Sequence, residues 1–531
     1  MNKTFSKKEL TTYSKNDLIE LFLAQQETLA SLNQKMDILI EQLSISNQYR
    51  FGRSSEKIDP DEQLVMCFNE AEVTIANKYV IEPVMEEVVP KPYQRIKVKG
   101  KREEDLKGLP VTDVYHTLTD DKLKSIFGDQ WKQLPDEEYK RLELIPASFK
   151  VIHHHVSVYA GMDNQTMVKA DRPADLLRNS IVTPSLLASI LNSKYINAVP
   201  LYRLEQEFKR FDVNLSRQVM ANWVIKCTER YLSLLYDRMH QELFKSDVIQ
   251  ADETPVMVSK DGRNAGSKSY MWVYRTGKMN REPAVILYEY QKTRNSSHPE
   301  TFLKGFKGTL VTDGYQVYHK IAKESPDIEV AGCWSHARRH FANIVKAQGK
   351  EKAKGTLAYD ALSQIAAIYK IDNELSEVDP TERLQKRQLL VKPLVDAFFA
   401  WVKNHSGDVL AKSETGKGFN YCINQECYLR TFLDNGMIPM DNNATESAIR
   451  GFCIGKKNWV LIDTVEGAKA SAVVYSIAET AKANNLKPYH YFNHILEEIS
   501  KHMDDKNTSF LESLLPWSDQ LPMECKKTET T

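Results

Sequence analysis

Between residues 246 and 345 the chain presents five short β-rich runs separated by turn residues and helical pieces, and nothing else in it limits the fold as strongly. In order they are DVIQADE (247–253), SYMWVYR (269–275), AVILYEY (284–290), GTLVTDG (308–314) and IEVAGC (328–333). Val, Ile, Tyr and Thr concentrated between such breaks mark strands. A helical piece, ETFLKGF (300–306), separates the third run from the fourth, and another separates the fourth from the fifth. Three strands, a helix, a strand, a helix and a further strand predict a mixed α/β sheet.

That order is the order of a ribonuclease H-like core. The flanks divide by pattern. Residues 346–437 read as almost all helix, an insertion-sized block, and 438–500 return as further helices of the core before a tail at 501–531. Upstream, 179–245 is helical and contains LYRLEQEFKRFDVNLSRQVMANWVIK. This has the shape of a helix-turn-helix: a first helix near 201–210, a turn through Phe211–Leu215, and a second helix capped by Ser216 that buries Val219 and Trp223. Arg217, Gln218 and Asn222 would then face outward, and such side chains read base edges or bind phosphates. A plain helical hairpin has the same periodicity.

Residues 1–50 carry Leu18, Phe22, Leu29, Leu32, Met36, Leu39 and Leu43 in steps of three and four, with Gln25 in the remaining seam position. This is a short coiled-coil seam, serving self-association or packing on its own domain. Residues 51–108 read as an extended linker with prolines at 60, 83, 90 and 92, a short helix near Leu64–Glu72 and a basic end. Residues 109–178 read as a small β-containing module. Its run YKRLELIPASFKVIHHHVSVY (139–159) has strand character, which puts His153 and His155 on one face and His154 on the other. With no cysteine between Cys67 and Cys227, histidines on a strand surface are a plainer reading than a metal site.

Composition narrows the class. Seven scattered cysteines without a CxxC pair suit a reducing cytoplasm, and no apolar run of membrane-spanning length or signal-peptide core is present. Lysine and arginine number 71, matching 71 aspartates and glutamates, so any nucleic-acid contact must come from local clusters rather than net charge.

Two aspartates, Asp252 and Asp313, stand at the ends of apolar strand runs. Such positions suit hard divalent cations, although either aspartate could simply open a turn. Alternation along the strand turns the neighbouring Glu253 to the opposite face. A third acid, Glu446, lies in MDNNATESAIRGFCIGKKNW. Asn443-x-x-Glu446 has capping-box spacing, and Glu446 could pair with Arg450 one turn on. Arg450, Lys456 and Lys457 would nonetheless set cations beside the acid. Asp441 is the acid best placed to substitute for it. In GCWSHARRHF, Cys333 and His336 suit a supporting role, with Arg338 and Arg339 available to DNA.

The chain resembles transposases of insertion-sequence family sixty-six, members of the DDE class. The matching stretches include FGRSSEK, SLLASILNSKYINAVPLYRLEQEF, LSRQVMANWV, ADETPV, GTLVTDGYQVYHK, AGCWSHARRHF, MDNNATESAIRGFCIGKKNWV, SIAETAKANNLKPYHYF and LLPW, in the family's order. The resemblance implies that Asp252, Asp313 and Glu446 are the catalytic acids and hold two Mg2+ ions, with Mn2+ as a possible substitute. It further implies DNA cleavage at the ends of a mobile element and joining to target DNA. The partners it implies are the element's terminal repeats, target DNA, a second copy of the chain on DNA and small accessory proteins. The location would be the bacterial cytoplasm, at the nucleoid, with no membrane. Two departures stand out. The span 110–175 lacks the family's two CxxC pairs, so structural zinc is not expected, and Ser447 replaces the usual arginine after the third acid. A DNA-binding relic or repressor with an inactive core, and a nuclease without strand joining, are the competing readings.

Overall fold

A computed structural model describes residues 13–51, 111–114, 120–127, 148–160, 167–171 and 175–527, apart from 265, 278, 280–282, 504 and 506. The linker, its basic end, the helix near Leu64–Glu72 and the part of the strand pattern before residue 148 lie outside the described residues.

The chain opens with α1 (Lys15–Phe51), a helix of 37 residues. Leu18, Phe22, Leu29, Leu32, Met36, Leu39 and Leu43 are all exposed along it, whereas Ile45 near its C-terminal end packs against the helical half of the molecule. A short α2 (Asp120–Phe127) and a small hairpin of β1 (Val158–Ala160) and β2 (Met167–Lys169) follow. Of the strand expected over 139–159, the described part from residue 148 pairs as strand only from Val158. Residues 148–157 have no ladder partner, and Val151 is 95% exposed. A half-buried alternation needs a neighbouring strand, and among the described residues this segment has none; Phe149 reaches the core, packing against Phe208. The rings of His153 and His155 still meet, 4.1 Å apart. Among the described residues they join no cluster of three metal-ligating groups.

Helices α3 (Pro184–Leu191), α4 (Leu201–Arg210), α5 (Arg217–Cys227) and α6 (Ser233–Leu243) come next. Thr183 and Ser216 cap α3 and α5 by accepting backbone N–H groups through their hydroxyls. A π-helical turn (Thr228–Leu232) joins α5 to α6 without a break. The buried positions of α5 are Met220, Trp223, Val224 and Cys227. Val219, expected inside, is 38% exposed because the core stripe begins one residue later.

The five β-rich runs form β3 (Val248–Lys260), β4 (Lys268–Thr276), β5 (Ile286–Gln291), β6 (Gly308–Thr312) and β7 (Ile328–Gly332). Their spatial order is β5-β4-β3-β6-β7. The hairpin-linked strands β3, β4 and β5 are antiparallel. Crossovers through α7 (Ser297–Phe302) and α8 (Gln316–Glu324) place β6 and β7 parallel to β3. This is a mixed sheet, as the order of runs predicts.

Beyond β7 come α9 (Trp334–Gln348), α10 (Leu357–Glu374), α11 (Pro380–Lys386), α12 (Lys392–His405) and α13 (Glu414–Arg430). They enclose a core of their own that reaches the sheet at Val248, Val311 and Ala331. Two buried arginines bind this block to the loop after α13. Arg387 pairs with Asp372 and donates to the carbonyls of Phe432, Asn435 and Ile438. Arg383 donates to the carbonyls of Leu375, Ser376, Val378 and Gly436. The chain then returns to the sheet through α14 (Asn443–Trp459), β8 (Ile462–Thr464), which extends β3, α15 (Val465–Ala483) and α16 (Pro488–Lys501). Helix α15 covers the sheet edge: the Ser476 and Thr480 hydroxyls accept the N–H groups of Tyr288 and Ile286 on β5. An edge strand whose donors are occupied in this way is closed to further pairing.

Candidate active site

The site forms where two parallel strands part. Strand β3 pairs with β6 only through Val248↔Thr309, Ile249↔Leu310 and Gln250↔Val311. Beyond Gln250, β3 continues against β4, with no second strand beside it until β8 pairs at Val258 and Lys260. Asp252 lies in that stretch, and its Oδ1 accepts the N–H of Glu253 at 2.8 Å. Asp313 follows the last residue of β6, and its Oδ1 accepts the N–H of Tyr315 at 3.0 Å. The intervening Gly314 has φ +88°, and a Cβ there would sit 3.2 Å from the Tyr421 hydroxyl and from Gln425 Oε1. Both the backbone conformation and the approach of α13 therefore require glycine. Tyr421 donates to the Asp313 carbonyl at 3.1 Å, so the helical block braces this turn directly.

Asp252 and Asp313 come together with an acid that alternation assigns elsewhere. One carboxylate oxygen from each of Asp252, Glu253 and Asp313 lies within 4.8 Å of the others. The Asp252 carboxylate turns back onto the Glu253 N–H, and the Glu253 side chain nonetheless reaches the same corner. Glu253 is therefore not the inert neighbour that the strand pattern predicts. Its side chain is 1% exposed, pairs with Arg294 and accepts the Tyr318 hydroxyl at 2.9 Å. Arg294 in turn stacks over the Tyr315 ring, 3.7 Å from its centroid.

Glu446 enters from the first turn of α14. Asn442, not Asn443, is the capping residue, and its side chain is occupied elsewhere. It donates to the Ala251 carbonyl at 2.8 Å and accepts from Gln250 and Thr445, fastening the helix start to β3. The capping-box reading therefore fails, because Asn443 is already helical. The expected Arg450 partner is also replaced. Arg339 of α9 reaches both Glu446 oxygens through one nitrogen, Nη2, at 2.9 and 3.0 Å. His336 Nδ1 stands 3.8 Å from Glu446 Oε1, and Cys333 completes a second group of candidate ligand atoms within 4.8 Å of one another. Cys333 Sγ accepts the Asn442 N–H at 3.2 Å. Burial first, and Asp441 second, push the Cys333 thiol far above its usual range, so it is a neutral, structural group. Burial, then Arg339, lower the pKa of His336. Asp441 accepts the backbone N–H and the side-chain amide of Asn443.

The remaining cations are dispersed. Arg450 and Lys457 are exposed, Arg338 is half-buried, and Lys456 donates to the Pro255 carbonyl at 2.7 Å. Arg217, Gln218 and Asn222 are exposed on α5, with the Arg217 guanidinium 5.6 Å from the Tyr202 ring centroid.

The acid corner fits a hard divalent cation. Burial pushes the Asp252 carboxyl well above the ordinary carboxylate range, and the charges of Glu253 and Asp313 push it further, with a smaller contribution from Glu446. A cation on these oxygens would relieve that repulsion, and an all-carboxylate set matches magnesium-like ions better than a zinc site. The thiol, imidazole and carboxylate around Glu446 are a different donor set, already engaged by Arg339.

Paired aspartates thus stand where two parallel strands of a mixed sheet part, with a glutamate on the first turn of a later helix. The family model described as "Transposase IS66 family" matches residues 179–470, and that of the "IS66 C-terminal element" matches 476–517. The chain belongs to the IS66 transposase family. It is also similar to three proteins of Sinorhizobium fredii (strain NBRC 101917 / NGR234). Uncharacterized protein y4qI is 29% identical over 392 residues, covering 72% of this chain and 71% of the relative. For y4jD the identity is 29%, covering 71% and 74%, and for y4hP it is 27%, covering 73% and 72%. No helix among the described residues is long and apolar enough to cross a membrane.

Proposed function

We propose that this chain is an active transposase that cleaves DNA at the ends of an insertion sequence and transfers the freed strand into target DNA. The observation that carries the reading is the meeting of Asp252 and Asp313 where β3 and β6 part, in a chain of a transposase family. The strand order β5-β4-β3-β6-β7 supports a ribonuclease H-like core. Divalent ions held by Asp252, Asp313 and Glu446, two Mg2+ or Mn2+ in the leading reading, would activate an attacking oxygen and stabilise the departing one.

The protein's own contribution is positioning and charge. The Tyr315 N–H, the Gly314 turn and Tyr421 fix Asp313, and Asn442 fixes the start of the helix that carries Glu446. Arg339 at Glu446, and the more dispersed Arg338, Arg450 and Lys457, supply phosphate-binding charge, and Lys456 steadies β3. Arg217, Gln218 and Asn222 read the terminal repeats from a helix-turn-helix. The exposed seam of α1 joins two copies, so that both element ends are held at once, and small accessory proteins complete the assembly.

Asp252→Asn, Asp313→Asn and Glu446→Gln test the reading on a duplex carrying the element's own ends. Each should abolish metal-dependent cleavage and joining while leaving end binding near wild type. Cleavage that persists in a folded Asp252→Asn protein would overturn it, and cleavage without joining in the wild type would make the protein a nuclease instead.

A further inference from the structure

The third acid is not free to receive a cation. Glu446 has an 11% exposed side chain, and both its oxygens are taken by the Arg339 guanidinium, which is 42% exposed and reaches in from the solvent side. The pair is not the parallel two-bond fork in which a guanidinium and a carboxylate hold each other best. Nη2 alone spans both oxygens, and Nη1 points to His336 Nε2 at 3.3 Å. A phosphate offers an arginine the fork geometry that this carboxylate does not, together with greater charge. Arg339 also stands one turn after His336 on α9, beside the acid corner where a DNA backbone must pass if Asp252 and Asp313 act on it.

We propose that Arg339 is a latch on Glu446. In the DNA-free chain it neutralises the carboxylate and keeps a second positive charge away from it. A DNA phosphate seated at the corner draws the guanidinium off, and Glu446 becomes a cation ligand only then. The metal site is thus completed by DNA rather than before it, which keeps the chain from hydrolysing phosphodiesters it has not bound in register. Arg339 is a positioning residue in this scheme and touches no reacting atom. The inference rests on the reading that Asp252 and Asp313 hold a divalent ion.

The test is Mn2+ binding, followed by electron paramagnetic resonance and calorimetry, in the full chain. Four proteins are compared: wild type, Arg339→Ala, Glu446→Gln and the double variant. Without DNA, Arg339→Ala should bind Mn2+ about tenfold more tightly than wild type, the effect of releasing one charge-assisted pair that is partly solvated. The gain should vanish when Glu446 is already Gln. A short duplex should raise Mn2+ affinity in wild type toward that of Arg339→Ala and add little to the variant. An unchanged affinity in Arg339→Ala overturns the latch. So does an equal gain in the Glu446→Gln background, which would reduce the effect to removal of a nearby positive charge. Thermal melts confirm that each variant is folded, and Arg339→Gln repeats the test with a side chain closer in size. Asp252→Asn separates the two levels. If it leaves Mn2+ binding untouched, the metal-site reading itself falls and the latch with it. If it removes Mn2+ binding while Arg339→Ala changes nothing, the latch alone falls.

Discussion

Arg387→Ala perturbs a contact far from the acids that nevertheless holds the frame around them. The Arg387 side chain is 0% exposed and its partner Asp372 is 4% exposed. Nε and Nη2 bind the two carboxylate oxygens at 2.7 and 3.1 Å. Nη1 donates to the carbonyls of Phe432, Asn435 and Ile438 at 2.8, 3.1 and 2.8 Å. Truncation strands a buried carboxylate, which costs roughly 3–5 kcal/mol, and the loss of the donor to the Phe432 and Ile438 carbonyls moves the figure toward the upper end, while the Asn435 carbonyl keeps the Ile438 N–H. For a folded body spanning 175–527, that corresponds to a fall in melting temperature of about 4–7 °C. Amide exchange resolves where the loss falls: protection should drop across 383–391 and 432–438 before it drops in β3–β5. The companion double change Arg387→Met, Asp372→Leu should recover most of the loss, because a buried pair can be replaced by apolar side chains at little cost. An unchanged melting temperature in Arg387→Ala, with exchange at 432–438 still slow, would refute the reasoning.

The other predictions concern the site and its reach. Asp252 has a folded-state pKa above its unfolded value, so the stability tied to its protonated form is present at acid pH and lost as pH rises through the folded pKa. Asp252→Asn should therefore melt higher than wild type at pH 8, with the difference closing toward acid pH; a variant no more stable than wild type at pH 8 would contradict this. Alanine at both Arg217 and Gln218 should weaken binding to element ends far more than binding to random duplex, each good base contact being worth roughly 1–3 kcal/mol of discrimination; equal losses on the two DNAs would show that α5 touches phosphates only. Replacing Leu29, Leu32, Met36 and Leu39 on α1 with glutamine should leave the core melting transition in place and lower the oligomeric state seen by light scattering on DNA. An unaltered assembly would assign the exposed seam another purpose.

The central sheet was legible because strand composition and crossover helices are local signals, and each of the five runs became a strand. Asp313 was legible for the same reason, standing where β6 stops, whereas Asp252, read as a strand end, lies inside β3, which runs on to Lys260. Glu253 was not legible. Its place in the acid corner rests on contacts with Asp313, Arg294 and Tyr318, residues 41 to 65 positions further on that the strand's own sequence does not announce. The Arg339–Glu446 pair spans 107 positions and two helices, and no spacing rule connects them. The capping box misled because Asn442, the true cap, is spent on Gln250, Thr445 and the Ala251 carbonyl. The histidine run misled because alternation reports a strand only where another strand is there to receive it.

The bracing of Asp313 by Tyr421 sets a limit on how far this protein can be pared down. The helices between α9 and α14 look like an ornament that could be excised to leave a compact catalytic fragment. Removing them would take away the hydroxyl at the Asp313 carbonyl and the close packing over Gly314. It would also uncover Val311 and Ala331, which lie on the strands that frame the acids. A minimal version of the enzyme therefore has to keep α13, or replace it with another helix presenting a tyrosine at the same height and an apolar cover for β6 and β7.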